Sequence, residues 1–268
     1  MVYACGVASE VGLAAGRVLY HYTSASGFVG ILERRCLFAS DVWFLNDASE
    51  IRYAQTRMAE RVRQYLGPDQ PWLQALLDVS ETKPGWLDDV FVASFCEEPD
   101  LLSQWRGYAA GGFAIGFAAD GLAALGDGAG APRLVQVDYG VESGRRRLRG
   151  LFEQLADGGP YSAEERERLA RTVLLPEMAR VKEPSFAEEK EWRLLVVEGR
   201  PERILFRPGA TGVVPYVEIA LPDPSPVREV VIGPAADQQL HRRGVEQLLA
   251  RRGYDGIEVR ESTSSLRL

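Results

Sequence analysis

Apolar and polar positions alternate in short runs along this chain, and between those runs apolar residues recur at helical spacing. VLYHYT, at 18–23, is rich in β-branched and aromatic residues, which predicts a strand. Ser24 or Ser26 can then cap a helix over GFVGILER, whose Phe28, Ile31 and Leu32 share one face. LFASDVWFL predicts another extended stretch. Asn46, Asp47 and Ser49 offer a helix start. Ile51, Ala54, Met58, Val62 and Tyr65 follow at helical spacing until Gly67 and Pro68 stop them. Trp72 to Val79 predicts a second helix.

VFVASF and GFAIGF then predict two strands joined by SQWRGYAAG. LGDGAGAP, at 125–132, is a flexible loop, and LVQVDYG predicts a strand. Residues 145–180 read as helical, with a break near Gly158–Pro160 and a new start at Ser162. WRLLVVEG predicts a strand, and the proline-rich LPDPSPVRE precedes another in VVIGP. A helix over 236–252 follows, and YDGIEVRES closes with a strand. Residues 1–17 are weakly patterned and read as a loose leader. There is no internal repeat and no long Pro/Ser linker, so 18–268 reads as one α+β domain with a mixed β-sheet.

Composition narrows the partners. The net charge is −7, from 31 basic and 38 acidic residues, which disfavours extended nucleic-acid contact because phosphate binding needs a basic surface. Cys5, Cys36 and Cys96 form no CxxC pair and no zinc spacing, and fit buried hydrophobes in a reducing cytoplasm. The opening MVYACGVASEVGLAAGR lacks a basic start and carries Glu10 within its apolar stretch, so it makes a poor signal peptide. No run approaches the roughly 20 apolar residues of a membrane helix. The expectation is a cytoplasmic protein without membrane contact.

Common catalytic motifs are absent: no GxxxxGK[ST], no GxGxxG between strand and helix, no HExxH and no GxSxG. The chain has two histidines. His241, in HRRG, reads as solvated helix surface. His21 sits between aromatic residues at a strand end. It is either a half-buried ring bonded to backbone or a donor that orients a ligand's ribose or carbonyl, with Tyr20, Tyr22 and Thr23 beside it. In EEKEWRLLV, strand alternation would put Glu189, Glu191 and Arg193 on one face. Those residues form either an ion-paired solvent face or a carboxylate site for an oxocarbenium-like sugar carbon. Arg193 would then hold a diphosphate or pair a Glu. In SFCEEPDLLSQWRGYAAGGFAIGF, the Arg106 guanidinium suits phosphate and the rings of Trp105 and Tyr108 suit stacking on a base. A docked helix with Arg106 in a salt bridge explains them equally well, and Ser94 faces the same side. FLNDASE reads as a helix cap.

Taken together and in order, LYHYTS, FLNDASE, SFCEEPDLLSQWRGY, GFAIGF, FAEEKEWRL, VVIGP and ESTSSLRL resemble a widespread bacterial family of unknown function, over roughly 18–268. A strand carrying Tyr-His-x-Thr followed by a short helix is also similar to the opening of ADP-ribosyltransferases. That resemblance implies a mostly antiparallel split β-sheet with flanking helices, and NAD as substrate with no metal. It implies that His21 and Thr23 hold NAD, and that Ser94, or failing it Tyr108, shapes the nicotinamide pocket. Glu191 would be the catalytic Glu, with Glu189 two residues earlier. His21 and Arg106 would grip ribose and diphosphate, with Tyr22, Trp105 and Arg193 completing the site. The expected activity is ADP-ribosyl transfer or NAD hydrolysis, as in a toxin or defence effector, with the acceptor open. Two alternatives stand beside it: a non-catalytic nucleotide-binding or sensor module, and a nuclease-like toxin grouping Glu189, Glu191 and Asp47 around a divalent ion.

Overall fold

The structure is a computed structural model. It describes residues 16–45, 89–109, 111–126, 131–140, 176–198, 200–209, 212–235 and 237–264, with isolated residues between 53 and 64 and between 149 and 165. Residues 1–15 of the expected leader at 1–17, the cap at Asn46 to Ser49, the helix at Trp72 to Val79 and most of 145–180 lie outside the described residues. The described part of the helix after Asn46, including Tyr53, Ala54, Arg57 and Glu60, is helical as its spacing predicts.

The chain enters strand β1 (Val18–Thr23) and turns directly into helix α1 (Ala25–Arg34). Ser24 caps the helix, its hydroxyl accepting from the Gly27 N–H at 3.3 Å. Phe28, Ile31 and Leu32 are the buried face of α1. Strand β2 (Cys36–Asp41) follows, then β3 (Asp89–Cys96) and β4 (Phe113–Ala118). Next come β5 (Arg133–Gln136), β6 (Asp138–Tyr139), β7 (Val181–Lys182) and β8 (Glu191–Glu198). The expected strand LVQVDYG is thus broken at Val137. A hairpin that the sequence reading left unassigned comes next, β9 (Leu205–Gly209) and β10 (Gly212–Ala220). Strand β11 (Val227–Ile232), helix α2 (Gln238–Arg252) and strand β12 (Glu258–Glu261) close the described fold.

One ten-stranded sheet runs in the order β12-β11-β4-β1-β3-β2-β10-β9, with β8 on the other side of β3 and β5 beyond it. Every pairing in it is antiparallel except β11 with β12. The main core lies on the helical face: Leu19, Phe91, Phe95, Phe117, Trp192 and Leu194 pack with Phe28, Ile31 and Leu32 of α1 and Val245 and Leu249 of α2. Such full burial of large side chains supplies roughly 1.5–3 kcal/mol each, which holds the two helices on the sheet. His241 belongs partly to this layer, which corrects the expectation of a solvated surface. It is half-buried, its ring centroid lies 6.2 Å from that of Phe113, and its Nδ1 is buried with no hydrogen-bond partner. No helix among the described residues is long and apolar enough to cross a membrane.

The opposite face is smaller and more polar. Tyr20, Tyr22, Cys96, Trp105, Ala114 and Val231 form a second cluster there. Asp100 ties this face to the last described residues. Its carboxylate accepts from Trp105 Nε1 (2.6 Å), Ser262 Oγ (2.5 Å), the Thr263 N–H (2.8 Å), Thr263 Oγ1 (3.0 Å) and Ser264 Oγ (3.1 Å). Burial opposes the charge on Asp100, and these donors more than offset it, leaving its pKa below the usual carboxylate range. The same turn, Trp105–Ala109, follows directly and is wound as a π-helix. An Asp100→Ala protein is expected to lose about 3 kcal/mol in urea denaturation, because hydrogen bonds to a charged acceptor contribute about 1.5–3 kcal/mol each and several are lost at once. Amide exchange at residues 262–264 should accelerate in that protein. Unchanged stability with unchanged exchange would show that this carboxylate does not hold the strap.

Candidate functional site

The site originates in a conflict of pairing. Strands β1 and β2 both address the same edge of β3, and both run antiparallel to it. β1 meets that edge at Tyr20 opposite Cys96, whereas β2 joins it only at Ser40 opposite Val92 and Asp41 opposite Phe91. Between these contacts Ala93, Ser94 and Phe95 face a gap. A β3 carbonyl in the gap has no ladder N–H to accept from, and a buried carbonyl left so is costly. His21 supplies the missing donor, with its Nδ1 2.9 Å from the Ser94 carbonyl oxygen. Because a carbonyl only accepts, Nδ1 must carry the proton, which leaves Nε2 as an acceptor on a neutral ring. Burial lowers the His21 pKa, the charge of Arg207 lowers it further, and together they outweigh the bond to Ser94. Of the two readings of His21, the structure shows the half-buried ring bonded to backbone: its donor nitrogen serves the Ser94 carbonyl, and the other ring nitrogen is an acceptor.

A cavity of about 560 Å³ fills the gap and spreads over the polar face. That lies within the roughly 300–1,000 Å³ of small-molecule sites. β1 contributes His21, Tyr22 and Thr23, and the start of α1 contributes Ser24 and Gly27. A Cβ at Gly27 would lie 2.1 Å from Thr23 Oγ1, so any larger residue there would force the Thr23 side chain to turn. Phe38 and Ser40 come from β2, Ser94 from β3, Gln104 from the residue just before the π-wound turn, Tyr108 from that turn, and Arg207 from β9. Glu189 and Glu191 also line it.

The two glutamates are held rigidly. Glu189 ends a 3-10 turn (Pro184–Glu189) rather than belonging to β8, and Lys190 follows in the left-handed region at φ 42°. That kink replaces the strand alternation expected between them, yet keeps both carboxylates on the cavity. Lys182 Nζ lies 2.7 Å from Glu189 Oε2 and 2.9 Å from Glu191 Oε2. Arg193 Nε donates to Glu191 Oε1 at 2.7 Å and its Nη2 to Oε2 at 3.1 Å. The Glu191 N–H donates to Tyr139 Oη at 2.7 Å. All four charged side chains are almost wholly buried. Burial alone would raise the Glu191 pKa, but Arg193 and Lys182 overcome it and bring it down to about 2. A cluster of two carboxylates and two cations is neutral as a whole, which is what makes its burial tolerable.

Of the residues expected from sequence, the cavity gathers His21, Tyr22, Thr23, Ser94, Tyr108, Glu189 and Glu191. Three fall outside its wall. Trp105 is wholly buried, meets Tyr22 edge-on at 4.7 Å and donates to Asp100, so it cannot stack on a base. Arg106 is exposed on the π-wound turn and does not line the cavity, so it does not reach a diphosphate there. Arg193 spends its guanidinium on Glu191 and on the Ala179 carbonyl at 2.7 Å, so it is the pairing residue and not the diphosphate holder. Tyr22 is a fixed wall, since its hydroxyl donates to the Glu98 carbonyl at 2.7 Å and accepts from the Leu101 N–H at 3.0 Å. Sequence reasoning missed Lys182 and Arg207. Two buried carboxylates call for a cation besides Arg193, and VVPYVEIA alternates behind a glycine-bearing turn, so both left a trace.

A protein-family model described as "Protein of unknown function (DUF2971)" matches residues 104–194. The similarity takes in QWRGY, GFAIGF and FAEEKEWRL, and with them Tyr108, Glu189 and Glu191 of the cavity. His21, Ser94 and Arg207 lie outside the matched stretch. No curated protein and no solved structure matches the chain.

The paired Glu191 has a measurable consequence. A carboxylate whose folded pKa is lowered from 4.5 to about 2 contributes stability that is fully present above pH 4.5 and lost as pH falls toward 2. Glu191→Gln should cost about 3 kcal/mol at neutral pH, since it leaves Arg193 and Lys182 undercompensated. Its denaturation midpoint should also fall less steeply than the wild type's below pH 4.5. Parallel acid profiles for the two proteins would count against this pairing.

Proposed function

We propose that this chain is an NAD-using enzyme that breaks the bond between nicotinamide and ribose, passing ADP-ribose to an acceptor or to water without a bound metal. The observation that carries this reading is the cavity in the split sheet, where a first-strand His, a middle-strand Ser and a late Glu pair meet. That is the arrangement which the resemblance to ADP-ribosyltransferases implies. The neutral His21 would accept from a ribose hydroxyl through Nε2, fixed by its bond to Ser94. Tyr108 would flank the nicotinamide. Glu191, ionised throughout the ordinary pH range, would place fixed negative charge beside the ribose carbon as positive charge develops there. Nicotinamide would leave with the bonding electron pair as a neutral base. The acceptor oxygen would then bond to the sugar carbon and release its proton to solvent. A carboxylate with so low a pKa is a poor general base, so its contribution is electrostatic.

One observation favours a second reading. Both oxygens of Glu191 are occupied by Lys182 and Arg193, which weakens its field at a ligand and suits a module that binds a nucleotide without turnover. The nuclease-like alternative has less support, because Lys182 sits between the two glutamates where a divalent ion would have to lie.

The test is to incubate the pure protein with NAD, alone and with cell lysate, and to measure nicotinamide release and ADP-ribose incorporation. Activity unaffected by EDTA is expected. His21→Ala should reduce it roughly twofold to tenfold, the loss that follows when one positioning hydrogen bond between neutral groups, about 0.5–1.5 kcal/mol, is removed. NAD binding by calorimetry without release or incorporation would replace the enzyme with the binding module. No binding and no turnover would remove both.

A further inference from the structure

The cavity has a second chemical pole that the glutamates do not account for. Arg207, near the middle of β9, is the one lysine or arginine side chain among the residues lining it. Its Nη2 donates to Ser40 Oγ at 2.8 Å. A guanidinium has five N–H donors, and this bond takes one. Among the described residues no carboxylate pairs with Arg207, whereas Arg34, Arg200, Arg203, Arg242, Arg252 and Arg260 each do pair with one. Arg207 is close enough to depress the His21 pKa, while the cations acting on Glu191 are Arg193 and Lys182. The positive pole therefore lies toward the β1 and β2 side, and the carboxylates lie at the start of β8. The α1 start on that same cavity wall has no acidic residue in its first turn.

We propose that Arg207, oriented by Ser40, is the anion anchor of this cavity, and that the ligand class is a nucleotide whose phosphate or diphosphate sits on Arg207 while its electropositive ribose carbon lies at Glu189 and Glu191. This deepens the NAD reading and rests on it for the sugar end. The anchor itself rests only on Arg207, Ser40 and the cavity. The fork of the guanidinium matches phosphate oxygens bidentately, which a lysine cannot reproduce. The role expected of Arg106 and Arg193 from sequence thus falls to a residue on the unassigned hairpin. Because β9 is exposed along its length, replacing Arg207 removes no core contact.

Calorimetry on the full chain, with NAD, ADP-ribose and nicotinamide riboside as separate probes, separates the possibilities. The proteins are wild type, Arg207→Gln, Arg207→Lys and Ser40→Ala, each checked for an unchanged thermal midpoint. Arg207→Gln should weaken NAD and ADP-ribose about tenfold to a hundredfold, the range for losing a charged hydrogen-bonding partner. Arg207→Lys should recover part of that loss, and Ser40→Ala should lose less than Arg207→Gln. Nicotinamide riboside, which has no phosphate, should bind all four proteins alike. Raising the salt should weaken NAD binding to the wild type more than to Arg207→Gln. Equal NAD affinity in wild type and Arg207→Gln overturns the anchor, and nicotinamide release that continues undiminished there leaves the enzymatic reading standing without it. Arg207-dependent binding of ADP-ribose with no turnover of NAD does the reverse: the anchor stands and the enzyme falls. If Arg207→Gln melts early, Arg207→Lys and Ser40→Ala carry the comparison. Failure of every probe to bind the wild type overturns both.

Discussion

Two strands address one edge of β3, and neither occupies all of it. β1 holds the end at Cys96, β2 holds the stretch at Val92 and Phe91, and the three residues between have a side chain where a ladder would be. The His21 imidazole is that side chain. Everything that distinguishes the polar face follows from the opening it spans. Had the two strands met, no space would remain between Phe38 and Tyr22. Had no side chain replaced the ladder bond, the Ser94 carbonyl would be a part-buried acceptor without a donor from the protein. One interaction both permits the cavity and fixes the tautomer of a residue that faces it.

The second constraint is charge. Two glutamates at the beginning of β8 would be too expensive to bury as free carboxylates, and as protonated acids they would lose the field that makes them useful. Lys182 bridges the two carboxylates and Arg193 pairs with Glu191, which together keep Glu191 ionised. The arrangement carries a chemical trade. A carboxylate bound so firmly is fixed in place before a ligand arrives, which favours electrostatic preorganisation, yet part of its charge is already answered by its own partners. The opposite pole is built in the other way. Arg207 stands on an exposed edge strand with the neutral Ser40 hydroxyl as its neighbour, and no carboxylate among the described residues pairs with it. The cavity therefore has one saturated end and one receptive end.

How much of this the sequence carried depends on the kind of signal each part uses. β1, α1, β3, β4, β8, β11, α2 and β12 were legible because their apolar residues follow the period of the element they form. Helix capping at Ser24 was legible for the same local reason. The hairpin β9–β10 was not, because Pro208, Gly209 and Pro215 interrupt its alternation and obscure a strand pair that its register makes plain. Glu189 was placed on the wrong element because the left-handed turn at Lys190 leaves no mark in a non-glycine residue. His21, Ser94 and Glu191 were singled out one by one, but their meeting depends on contacts across many tens of residues, which no local pattern encodes. Trp105 and Arg106 show the converse: residue types suited to a ligand are equally suited to a core and to solvent, and only burial tells them apart.

The Asp100 carboxylate takes all its side-chain donors but one from residues 262–264, far along the chain from the turn it organises. That turn carries Tyr108 to the cavity, and Gln104 reaches it from the residue just before. During synthesis, then, β1, β3 and the paired glutamates all emerge from the ribosome well before the wall that completes their site can be fastened. A nascent chain could form much of the sheet and still present an open, loosely bounded cleft. The strap that shuts it is translated after the strands and glutamates it closes over, so the boundary of the cavity is completed later than its floor.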